Sequence, residues 1–229
     1  SRWAASCGHP AVAEALTVLP ALDLFCFGAP GARVNGTDPP REVVWKKHLA
    51  LLIYLALSPD RSRTREHLRG LLWPEKDEQL SRQYLNEAVR RLRIRLGDER
   101  LVTRGDVIEM SVDRLSVDTL RLQELATRDP AKALALVRGD FLEGFSVEDA
   151  PAFEEWATHE RERQRTRVAG IMVEHGEKQL ASNRFAEARD AGRQALGLQP
   201  FSELAVRLVM RAAALGGDQA GGLAAFHDF

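Results

Sequence analysis

Apolar and polar positions change rhythm along the chain, and each change marks an element. After a first stretch without strong period, Leu22 to Phe27 reads as a strand closed by Gly28-Ala-Pro-Gly31. Ala32 to Gly36 predicts a second short strand ending in an Asn-Gly turn, and Val43-Val44-Trp45 a third. From Lys46 to Leu57 the period lengthens, with Leu49, Leu52, Ile53 and Ala56 on one helical face. Thr64 is a natural N-cap for a second helix that ends at Trp73-Pro74. Asp77 opens a third helix through Leu96, with Gly97 as its stop. Leu101 to Val112 then returns to strand period as a hairpin turning at Gly105-Asp106.

Beyond Asp118 the pattern is helical almost throughout. Breaks at Pro130, Gly139, Gly144, Pro151, Asn183, Pro200 and Gly216-Gly217 predict helices over 119–128, 130–138, 151–182, 184–197, 201–215 and 218–229. The expected organisation is an N-terminal arm (1–20), a strand-and-three-helix unit (21–113) and an all-helical unit (114–229). The fold class is mainly α with a small β component.

Charge sharpens this division. The net charge is −1, yet residues 41–104 hold 15 Lys/Arg against 9 Asp/Glu, while residues 105–229 hold 15 against 21. A basic contact unit beside an acidic one fits a nucleic-acid partner for the former. Within the third helix, Leu85, Ala88, Val89, Leu92 and Leu96 form the core face. About a quarter-turn away runs a second stripe: Gln79, Arg82, Gln83, Asn86, Arg90 and Arg93. Arginine can bond bidentately to guanine, and Asn or Gln to adenine, so this is the side-chain set a major groove demands. A solvated basic face is the plain alternative for any one helix. The preceding helix and following hairpin favour a helix-turn-helix with a wing. Thr103 and Arg104 lie where the wing would meet DNA. Lys46 and Lys47 with His48 at the first helix, and Arg63 and Arg65 at the second, sit at N-termini suited to phosphate.

Other chemistries find little footing. There is no GxxxxGK[ST] or GxGxxG loop, and the six histidines never pair at metal-ligand spacing. Ser6, Cys7 and His9 only superficially suggest a nucleophile with its base. No enzyme, cofactor or metal is expected. No apolar run suits a bilayer span, no signal peptide is visible, and two distant cysteines fit a reducing, cytoplasmic setting.

Lys46 to Leu52, Arg65-Glu-His-Leu68 with Leu72-Trp73, Val89-Arg-Arg-Leu-Arg93 with Leu96-Gly97, and Leu101-Val-Thr-Arg104 together resemble the OmpR-like winged helix of the Streptomyces antibiotic regulatory protein (SARP) family. Arg138 to Phe145, Phe153-Glu-Glu-Trp156 and Glu160-Arg-Glu-Arg163 are similar to the bacterial transcriptional activator domain that follows it there. The resemblance implies a tetratricopeptide-like second half. Gly176, Ala188, Ala195 and Pro200 fall at the small-residue and proline positions of a 34-residue repeat, whose next copy places Gly222 and Phe226 in register. It further implies double-stranded DNA as partner, binding to promoter repeats as a homodimer, recruitment of RNA polymerase, and relatives that continue into further domains. The rival reading is a helical protein-interaction scaffold, with Phe141, Phe145, Phe153 and Trp156 lining a groove instead of a core.

Overall fold

The computed structural model describes residues 18–218. The expected arm and last helix, with the Gly222 and Phe226 register, fall largely or wholly outside them. Strand β1 (Leu22–Phe25) pairs antiparallel with β2 (Gly31–Val34), as alternation predicts. The Val43–Trp45 strand is absent. Val43 N–H bonds the Pro40 carbonyl in a turn, and Trp45 instead precedes the first helix, its carbonyl accepting from Leu49.

Helix α1 (Lys46–Leu57) is buried continuously from His48 to Ala56, beyond the one face its period suggests. It is the central helix, enclosed on all sides. Strand β3 (Ser62–Thr64) leads into α2 (Arg65–Leu72), where the Thr64 hydroxyl accepts from His67 N–H at 3.2 Å. Helix α3 (Glu78–Leu96) starts on an Asp77 cap bonded to Leu80 N–H at 2.8 Å and stops at Gly97, whose φ of 91° suits glycine. Strands β4 (Leu101–Arg104) and β5 (Val107–Met110) form the expected hairpin, and β3 pairs with β5 to give the order β3-β5-β4.

Strand β6 (Leu115–Val117) was not foreseen. It runs parallel to β1, completing a second sheet of order β2-β1-β6. Helix α4 (Asp118–Ala126) follows directly. Helix α5 (Pro130–Leu134) is shorter than the period suggests, because the chain beyond it is drawn into tertiary pairing: Phe27 bridges Phe141, Gly28 N–H bonds the Asp140 carbonyl, and Leu142 N–H bonds that of Cys26. Helices α6 (Pro151–Ala181), α7 (Phe185–Leu198) and α8 (Glu203–Leu215) complete the order.

The small residues of the repeat register mark close helix packing. A β-carbon on Gly176 would stand 2.4 Å from Leu208 Cδ2 and 3.2 Å from Ala191 Cβ, and one on Gly192 2.7 Å from Val209 Cγ2. Ala188 and Ala195 are fully buried in the same seam. Phe141 and Phe153 are core residues, with Phe145 and Trp156 packed against them, so these aromatics fill space between elements.

One apolar cluster runs from Leu22 through α1, α2, α3 and the hairpin to Phe141, Leu142, Val147, Ala150, Phe153 and Ala157. The strand-containing half and the start of the helical half therefore share a core. Two polar anchors add to this packing, the first across the joint and the second within the strand-containing half. Asp118 accepts from Cys26 N–H at 2.9 Å and Phe27 N–H at 3.1 Å. The fully buried Arg100 donates to the Pro20, Ser111 and Asp113 carbonyls at 2.7, 3.1 and 2.7 Å.

Candidate nucleic-acid interface

The site is built on α3. Its core face (Leu85, Ala88, Val89, Leu92, Leu96) is buried, which fixes the helix about its axis and presents Gln79, Arg82, Gln83, Asn86 and Arg90 to solvent. Gln79, Arg82, Gln83 and Asn86 line one open depression with Glu78. Of the expected stripe, these residues and Arg90 are exposed together, whereas Arg93 is not a free reader. Its guanidinium donates to the Leu101 carbonyl at 2.7 Å and Thr103 Oγ1 at 3.0 Å, fastening α3 to β4.

Arg65 completes the same brace. It donates to Asn86 Oδ1 at 2.5 Å and Thr103 Oγ1 at 3.3 Å, while its backbone N–H bonds the Asp106 carbonyl at the hairpin turn. Four of the expected contact residues (Arg65, Asn86, Arg93 and Thr103) thus form one network joining α2, α3 and the wing. Asn86 keeps its amide N–H group available on the exposed side. Arg104 stands at the wing edge, 75% exposed, paired across the hairpin with Glu109 at 3.1 Å.

The lysines separate. Lys46 is exposed at the start of α1. Lys47 is turned inward: its ammonium donates to the Leu72 carbonyl at 2.7 Å and lies 5.6 Å from the Trp73 ring. Desolvation there holds it below the ordinary lysine range. It satisfies a carbonyl at the C-terminus of α2, where helix carbonyls lack partners, instead of projecting a cation toward solvent. His48 is likewise buried, its Nδ1 2.7 Å from the Glu42 carbonyl.

Charge on α3 is managed by its own acids. Glu87 holds Arg90 bidentately at 2.8 Å and Arg91 at 2.5 Å, and those bonds depress its carboxyl to about 2. Glu78 holds Arg82 at 2.6 Å. These exposed pairs contribute little stability, so their arginines are able to change partners. Sequence spacing alone could have found both, because each joins residues three or four apart on a helix. What it missed was the Arg65–Asn86–Thr103–Arg93 brace, whose members lie up to 38 residues apart. A further face of α3 exposes Ile94 (60%) and Tyr84, and Arg91 stacks 5.1 Å from the Trp45 ring.

No group of His, Cys, Asp and Glu that could hold a metal occurs among the described residues, and none of their helices is long and apolar enough to cross a membrane.

Residues 109–229, more than half of the chain, match the family model of the bacterial transcriptional activator domain. No curated protein matches the chain. Its structure is similar to a solved chain of Mycobacterium tuberculosis EmbR, determined in complex with a low-affinity phosphopeptide, with a TM-score of 0.72 at 20% identity. That match covers 91% of this chain and 58% of the EmbR chain, so the present chain spans little more than half of that relative's length. Identity at this level speaks for the fold, and the fold is the expected one: a small sheet-containing unit with three helices and a wing, followed by stacked helices. The chain belongs to the bacterial transcriptional activator domain family.

Proposed function

We propose that the chain binds double-stranded DNA sequence-specifically, with α3 in the major groove and the β4–β5 wing against the adjacent backbone. The observation that carries this reading is the exposed run Gln79, Arg82, Gln83, Asn86 and Arg90 on a helix locked against its core and braced to the wing. Asn86 and Gln83 suit adenine, Arg90 and Arg82 suit guanine or phosphate, and Lys46 and Arg104 supply sequence-independent grip. Thr103, Arg65 and Arg93 hold this surface in shape. Lys47 acts from inside the fold. The DNA-binding unit is assigned to residues 21–113 and the activator module to 114–229, with RNA polymerase contact assigned to the latter. Assembly as a homodimer on promoter repeats is the arrangement the SARP-type resemblance suggests.

Selection from a random duplex pool, followed by gel shifts across a salt series, tests the reading. Enrichment of a defined sequence, with affinity falling steeply as salt rises, is the expected result. Affinity that is absent, or flat with ionic strength, would overturn it and favour the interaction-scaffold alternative. Footprinting on the enriched sequence then reports repeat spacing and stoichiometry.

A further inference from the structure

The outer face of the β2-β1-β6 sheet is partly roofed by α4 and the segment after α5, leaving a half-open cavity of about 360 Å³. Such a volume lies at the small end of ligand sites. The strand register explains its floor. Leu22 and Leu24 point into the core, so Asp23 and Phe25 point outward. Arg33 of β2 and Ser116 of β6 are the cross-strand partners of Asp23. Arg121 of α4 and Arg138, beyond α5, close the sides.

Three arginines from three separated parts of the chain thus line one small space. Arg138 lies 4.6 Å from the centre of the Phe25 ring and Arg33 5.7 Å, so the ring contacts both cations. Arg138 reaches Asp118 only at 3.4 Å, and that carboxylate is already engaged by the Cys26 and Phe27 N–H groups. Arg33 and Arg121 make no hydrogen bond or ion pair among the described residues. Both therefore keep their N–H donors available beside the cavity. Arginine forks fit phosphate oxygens bidentately. The carboxylate of Asp23, the remaining acid of the lining, makes no hydrogen bond or ion pair among the described residues and would repel a bare anion. It suits a ligand that brings a hydroxyl donor beside its phosphate.

We infer that this cavity is a binding site for a small hydroxylated phosphate of the sugar-phosphate class, with Arg33, Arg121 and Arg138 taking the phosphate and Asp23 a hydroxyl. A ligand there links β2 of the winged-helix unit to α4 and the post-α5 segment, and so fastens the joint between the two halves.

The test uses the full chain without DNA, with thermal melting and calorimetric titration against inorganic phosphate, glucose 6-phosphate and glucose. Saturable binding of both phosphate probes, with a raised melting temperature and no response to glucose, is expected. Arg33→Gln and Arg121→Gln should each weaken both probes by roughly tenfold or more, about one lost charge-assisted contact. Arg207→Gln, exposed on α8 away from the cavity, should leave both unchanged. Asp23→Asn should weaken glucose 6-phosphate while leaving inorganic phosphate as tight or tighter. Unchanged melting of the unliganded variants certifies that they fold. The inference fails if neither phosphate binds saturably, or if the arginine variants bind as the parent does. It fails equally if those variants lose DNA affinity and salt dependence without ligand, since the arginines would then belong to the DNA contact surface.

Discussion

The exposed face of α3 and the joint between the two halves are built on opposite principles. On α3 Arg82, Arg90 and Arg91 lie at the surface, their acidic partners sit three or four residues away, and each pair can open without disturbing the core. At the joint the side chains are buried or half-buried and their partners lie far off in sequence: Asp118 with Cys26, and Tyr54 against Trp156 with ring centres 4.9 Å apart. The proposed readout would need groups that can change partners, whereas a fixed joint needs groups that cannot. Substitutions should therefore affect binding without stability in the first region, and stability before binding in the second.

The largest effect is expected at the joint. Phe153→Ala removes a fully buried ring from the shared core and should cost about 4 kcal/mol, read by denaturant unfolding. If the two halves unfolded as separate transitions in that variant, with the winged-helix transition unmoved, the shared core would not couple them. Gly192→Val drives a side chain into Val209 and the Ala205 carbonyl. A destabilisation of about 3 kcal/mol is expected, with the loss concentrated in the α6–α8 module, as hydrogen exchange would report.

On α3 the pattern reverses. Arg90→Ala should change unfolding by less than about 0.5 kcal/mol yet relax sequence preference by roughly 1–3 kcal/mol in competition gel shifts. Intact specificity in that variant would remove Arg90 from the readout set. Lys47→Ala sharpens the contrast, because it frees the Leu72 carbonyl: stability should fall while the salt slope of DNA binding stays as it was.

Two smaller effects concern protons and charge release. Burial depresses the His48 imidazole below its ordinary 6.5, so the unfolded chain binds the proton more readily. This contribution to stability is complete above 6.5 and is lost as pH falls toward the depressed value. His48→Gln should flatten that part of the stability profile. Glu87, held near 2 by Arg90 and Arg91, stays ionised across the working pH range, its clamp being lost only as pH falls toward that value. Gel shifts between mildly acidic and neutral pH should therefore show no step from this residue, and Glu87→Gln should raise affinity for unrelated duplexes a few-fold by releasing both arginines.

Much of the winged helix was legible because its signals are local. The Thr64 and Asp77 caps, the Gly97 stop, the Gly105-Asp106 turn and the 3.6-residue period of α3 are each decided within a few residues. The exposed stripe followed from the same period. Strand β3 was missed because Ser62-Arg-Thr64 has no apolar alternation, and β6 because its partner lies more than ninety residues earlier. The early end of α5 and the missing strand at Val43 show tertiary pairing and turn geometry overriding local period.

By itself the sequence determined where helices start and stop, which face of α3 is apolar, and that small residues recur at the seam of the helical module. Those features depend on backbone sterics and on neighbours a turn away. Only the tertiary structure decided that Arg93, Arg65 and Lys47 are tied to partners on other elements, that α1 is buried along most of its length, and that Arg33, Arg121 and Arg138 line one cavity. Each of these depends on which distant segments pack together, and a one-dimensional period carries no record of that choice.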